Sequence, residues 1–187
     1  DCTSGYVIIE QGESCIFTDI PYPVPNSNRI WKRIEDAARH YKPRVMIDVG
    51  TGWGGRQDPA SKDWKSEGEY GMLPLIARAN ERGDNTFFIL VDPQGEIVKK
   101  LNERRKREGV YVEIVQAALP YLPFPDGAAH LATCCGVLKH VIGDSKLLDR
   151  CIEELERICN GVMFIELGGA LLEADCKGRK KENKKKQ

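Results

Sequence analysis

The sequence lacks a C-x-x-C pair, a long apolar run, an internal repeat and an excess of charge of either sign. Without C-x-x-C, its seven cysteines (Cys2, Cys15, Cys134, Cys135, Cys151, Cys159 and Cys176) do not read as a zinc ribbon, and no metal site is expected. A Cys2–Cys15 bridge would need a hairpin there and an oxidising compartment; reduced thiols are expected instead. No apolar run approaches the roughly 18 residues of a membrane helix. Basic, apolar and cleavage-site segments do not follow one another from Asp1, so no secretory leader is expected and the reading is cytoplasmic. With 41% hydrophobic and 30% charged residues, the chain is globular rather than disordered.

The balance of 28 basic and 28 acidic groups hides an asymmetry. Residues 178–187 carry six basic groups and one acid, which leaves 22 basic against 27 acidic groups in residues 1–177. An acidic body is not a nucleic-acid footprint over its whole surface, although the tail can still meet an acidic partner.

At 187 residues the chain fits one domain with a sizeable core. Tyr6–Ile9 and Cys15–Thr18 read as a β-hairpin, and Pro21, Pro23 and Pro25 as an extended linker. Ile30, Trp31, Ile34, Ala37, Ala38 and Tyr41 recur at helical spacing and stop at Pro43. Strand and helix then alternate. Strands are expected at 45–49, 86–91, 110–115, 131–135 and 162–167, and helices at 71–82, 95–108 and from Asp144 to the Asn160-Gly161 pair. This pattern predicts an α/β domain with a parallel sheet.

Three motifs carry chemistry. Asp48-Val49-Gly50-Thr51-Gly52-Trp53-Gly54-Gly55 directly follows the first core strand. Glycines there let the backbone turn sharply and approach a ligand at a strand's carboxyl end. Gly50, Gly52 and Gly55 fit the dinucleotide pattern G-x-G-x-x-G; Asp48, Gly50, Gly52 and Gly54 fit D-x-G-x-G-x-G. Asp92-Pro93 ends the next strand, where a carboxylate can accept both ribose hydroxyls of an adenosine. It lies 42 positions after Gly50, against roughly 20 in a dinucleotide fold. The excess falls in the polar stretch 56–70, read as an inserted loop near the mouth of the site. The third motif is Leu122-Pro123-Phe124-Pro125-Asp126-Gly127, followed by Cys135-Gly136-Val137-Leu138-Lys139-His140-Val141.

Together these blocks resemble the small-molecule branch of the class I S-adenosylmethionine-dependent methyltransferases. The resemblance implies a Rossmann-like, mostly parallel sheet with core order 3-2-1-4-5 and S-adenosyl-L-methionine as cofactor. Asp48, Gly50, Thr51, Gly52, Trp53 and Gly54 would surround its methionine part. Asp92 and Pro93 would lie at the ribose, Ala118 and Leu119 at the adenine, and Cys135 at the end of the fourth core strand. His140 is the candidate general base. Three domains follow: an N-terminal hairpin and linker (1–25), the cofactor-binding domain (26–175) and a basic disordered tail (176–187).

Several departures bear on this reading. Ala118 stands where relatives carry an acid for the adenine amino group, and Ala129-His130 replaces the usual Phe-Asp. No N/D-P-P-Y motif is present, which disfavours methylation of DNA base amino groups. Cys134 and Cys135 lack a Pro-Cys context and read as packing residues rather than nucleophiles. The family's closing helix and antiparallel strand pair are missing, and the N-terminal hairpin is expected to cover the sheet edge left open. The expected partner is a small-molecule acceptor, with nucleic acid reached only through the tail and no membrane. A non-catalytic cofactor-binding module and a nicotinamide-binding domain remain as alternatives.

Overall fold

The computed structural model describes residues 18–19, 27–52, 71–167 and 170–176. The hairpin at 6–17, Trp53, Gly54, the 56–70 stretch and the tail from Lys177 onward lie outside the described residues. The elements, in chain order, are β1 (Thr18–Asp19), α1 (Ser27–Tyr41), β2 (Val45–Val49), α2 (Met72–Glu81), β3 (Phe87–Asp92) and α3 (Gly95–Glu108). They are followed by β4 (Glu113–Gln116), β5 (Ala129–Cys134), a short 3-10 turn (Leu138–His140), α4 (Ser145–Ile158), β6 (Cys159–Leu167) and β7 (Ala170–Asp175).

The strands form one sheet in the order β1-β7-β6-β5-β2-β3-β4. The five from β2 to β6 are mutually parallel, which is the expected 3-2-1-4-5 core. Alternation along the strands builds two cores. Met46, Phe88, Leu90, Leu131, Val162 and Phe164 face α1, α2 and α3. Ile47, Val91, Ala132, Met163 and Ile165 face α4, which inserts Cys151, Ile152, Leu155 and Ile158. Asp144 caps α4 by accepting the Leu147 N–H at 3.0 Å. Glu35 locks α1 to α2. Burial opposes its charge, but bonds from Arg78 and Arg39 hold its carboxyl below the ordinary range.

Four expectations are corrected. Residues 170–175 do not leave β6 as an open edge; they form β7, antiparallel to β6, and Thr18–Asp19 pairs outside it. Asn160-Gly161 does not end the helix. The helix stops at Ile158, and both residues belong to β6, where they form a bulge. Strand β4 begins at Glu113 rather than Val110 because side chains occupy the preceding backbone: Asn80 accepts the Tyr111 N–H, and Arg105 donates to the Val112 carbonyl. Cys176, placed in the tail from sequence, is buried, and its N–H donates to the Gly161 carbonyl at 2.7 Å.

Candidate functional site

The carboxyl ends of β2, β3 and β5 meet where the glycine motif leaves the sheet. Val91 draws that loop inward: its carbonyl accepts the N–H of Gly50 at 2.7 Å and of Thr51 at 3.1 Å. Gly50 and Gly52 adopt φ of 75° and 56°, which glycine tolerates without strain. A Cβ on Gly50 would lie 2.0 Å from Val137 Cγ2, so the loop after β5 seals directly over this turn. Among the described residues, nothing lies within 4 Å of a Cβ built on Gly52, so that face is open toward them.

Two buried carboxylates stand beneath the loop. Asp48 accepts the Thr51 hydroxyl at 2.7 Å on one oxygen and the Thr133 hydroxyl at 2.5 Å on the other. Burial pushes its carboxyl up to about 6, against the pull of the two hydroxyls and aided by the charge on Asp92. The folded state thus binds a proton more tightly than the unfolded chain. Its contribution to stability is fully present below the ordinary value of 3.8 and is lost as pH rises through about 6. The difference is worth about 3 kcal/mol. Asp48→Asn is expected to remove that portion of the pH dependence. Urea midpoints of both proteins between pH 4 and 7.5 check this; parallel profiles would refute it.

Asp92 is 3% exposed. One oxygen accepts the Gly52 N–H and the other the Gln94 N–H, each at 2.9 Å. Each oxygen keeps a further lone pair. The corner is tied to β4, because Gln116 donates to the Pro93 carbonyl and the Ala117 N–H to the Asp92 carbonyl. Ala118 follows, exposed and with no polar side-chain atom, and pairs with Tyr121 across Leu119 and Pro120.

Cys135 directly follows β5, two residues before Val137. Burial pushes the Cys134 and Cys135 thiols far up, which keeps them protonated and suits packing rather than attack. His140 lies three residues beyond Val137, exposed at the end of the 3-10 turn. The structure therefore gathers Asp48, Gly50, Thr51, Gly52, Asp92 and Pro93 at one corner, with Cys135 at the neighbouring strand end. Trp53 and Gly54 fall outside the described residues. Sequence reading missed Thr133 and Val137; a lone threonine in an apolar strand was the available signal for the first.

The Leu122–Gly127 motif lies away from this corner. It belongs to an irregular crossover from β4 to β5 that is stapled along α4. Arg150 contacts the Tyr121 hydroxyl, and Glu154 accepts the Leu122 N–H at 2.6 Å. Arg157 donates to the Phe124 and Leu122 carbonyls, to Asp126 and to both oxygens of Glu154. These five bonds use every N–H of its guanidinium. They satisfy the backbone groups that a helical crossover would pair internally.

Among the described residues, no group of three His, Cys, Asp or Glu could hold a metal ion, and no helix is long and apolar enough to cross a membrane. Residues 71–160 match the family model described as a methyltransferase domain. No curated protein sequence matches the chain. Among solved structures, an S-adenosylmethionine-dependent methyltransferase from Clostridium acetobutylicum superposes with a TM-score of 0.53 at 15% identity, covering 76% of this chain and 50% of that one. The PH0226 protein from Pyrococcus horikoshii gives 0.52 at 18% identity, covering 75% of this chain and 58% of that one. This likeness is one of fold, and the chain spans about half the length of the solved structures it matches.

Proposed function

We propose that this chain is a class I S-adenosylmethionine-dependent methyltransferase that binds S-adenosylmethionine between its glycine loop and Asp92 and catalyses methyl transfer to a small-molecule acceptor. The observation that carries the proposal is the junction of Gly52 with Asp92, an open glycine face beside a buried carboxylate with lone pairs to spare. These residues fit the cofactor, which supplies a methyl group on a positively charged sulfur.

Asp92 accepts the ribose hydroxyls, and Asp48 acts through Thr51 to hold the loop in register. Cys135 completes the wall beside the glycine loop. With Ala118 in the adenine position, the base is held by the backbone at Leu119 and by apolar contact. In-line displacement asks the protein mainly to align acceptor and methyl group. His140, exposed after β5, takes the acceptor's proton. The acidic body favours a small acceptor over nucleic acid, and the setting is cytoplasmic.

Titration calorimetry with S-adenosylmethionine and S-adenosylhomocysteine tests the cofactor. Asp92→Asn is expected to weaken both by about 1–3 kcal/mol, or roughly fivefold to 150-fold. Unchanged affinity removes the ribose role; binding of NAD in their place removes the proposal. His140→Ala is expected to lower turnover with affinity intact. Ala118 favours a second reading, a binding module without catalysis. Cofactor binding without methyl transfer to any fraction of a small-molecule extract would select it.

A further inference from the structure

At the opposite end of the sheet, the amino ends of β2, β5 and β6 surround a cavity of about 350 Å³. Its lining includes Tyr41, Lys42, Arg44, His130, Asn160 and Cys176. The length of β2, about 16 Å, separates it from the glycine loop.

Local geometry marks this corner as built. Among the described residues, the buried Nδ1 atom of His130 has no hydrogen-bond partner, a state that costs stability. His130 faces the bulge: β5 takes two steps from Ala129 to Leu131 while β6 takes three from Cys159 to Val162. Bulges re-aim side chains and recur beside sites. Gly161 approaches so closely that a Cβ there would lie 1.9 Å from the His130 carbonyl oxygen. Lys42 adopts φ of 46° where α1 ends, a conformation uncommon for a residue with a side chain.

The charge is equally specific. Neither Lys42 nor Arg44 pairs with a carboxylate among the described residues. Of the acids beside Tyr41, Glu173 is ion-paired with Arg33 at 3.0 Å and accepts the Tyr41 hydroxyl at 3.4 Å; Asp175 is exposed.

We propose that this cavity binds a small organic anion through a phosphate headgroup, at a site separate from the cofactor crevice. Arg44 offers a planar fork that matches phosphate oxygens, and Lys42 a compact charge. The Asn160 amide supplies a neutral donor. Val162, Pro43 and the Tyr41 ring face the organic part. The volume lies in the range of small-molecule sites.

Histidine side-chain NMR on the full chain tests this, because there are only three signals to follow, those of His40, His130 and His140. The probes are inorganic phosphate and phenyl phosphate. His130 is expected to shift saturably, at lower concentration with phenyl phosphate, while His140 at the far end stays fixed. Arg44→Ala is expected to raise the half-saturation about tenfold. Lys42→Gly suits the positive φ, so it keeps the fold while removing the charge, and is expected to weaken binding similarly. The proposal is overturned if His130 does not saturate with millimolar probe, or if His130 and His140 shift alike. It is also overturned if removal of residues 177–187 abolishes the shift while Arg44→Ala leaves it intact. None of these readouts requires methyl transfer.

Discussion

Gly161→Ala is expected to destabilise the fold by about 3–5 kcal/mol, near the upper end of single-substitution effects. The added Cβ would meet the His130 carbonyl oxygen at 1.9 Å and its carbon at 2.8 Å. Both are backbone atoms of the neighbouring strand, so no side-chain rotation relieves the overlap. The two strands must separate at the bulge, which also disturbs the Cys176 N–H bond to the Gly161 carbonyl. The measurement is a urea midpoint with the m-value unchanged. A midpoint within about 0.5 kcal/mol of the parent would show that the strands are not in close contact there.

Gly50→Ala acts at the other end. Its cost has two parts, a φ of 75° that opposes any side chain and an overlap with Val137 Cγ2 at 2.0 Å. Together they amount to about 2–4 kcal/mol of loop strain. S-adenosylmethionine affinity is expected to fall more than tenfold, because the Gly50 and Thr51 amides leave Val91 when the loop shifts. Adding Val137→Ala separates the parts. The double variant recovers the steric share and keeps the φ share. If Val137→Ala restores nothing, the seal between the two loops plays no part in binding.

The readable and unreadable parts of the molecule divide by sequence distance. The core order could be inferred because each strand and helix announces itself locally: Val45–Val49 as a short buried run, Leu147 to Ile158 as one apolar stripe. Asp48, Gly50 and Asp92 were legible because their roles follow from lying at strand ends. Thr133 was not, since its partner Asp48 is 85 positions away. Asn160-Gly161 looked like a helix stop because that pair commonly is one. Only the opposing strand, with His130, turns it into a bulge. Ala170–Asp175 has no β-branched residue to signal a strand; it becomes one because β6 offers an unpaired edge. The Leu122–Gly127 block was legible as a motif of the family pattern, but its path in space was not. In space it descends along α4, and what fixes it there is Arg157, some thirty residues later.

That guanidinium has a consequence for how such a scaffold can evolve. A helical crossover would require its own sequence to keep a 3.6-residue apolar period, which limits substitution at nearly every position. Here the anchoring is delegated to one distant side chain with all its donors engaged. The residues next to the crevice, from Ala117 to Tyr121, are released from that periodic demand. They can drift toward new acceptors while Arg157 preserves the path of the chain. A lysine at 157, a single point charge without the fork, could not hold the five acceptors together and would end that freedom.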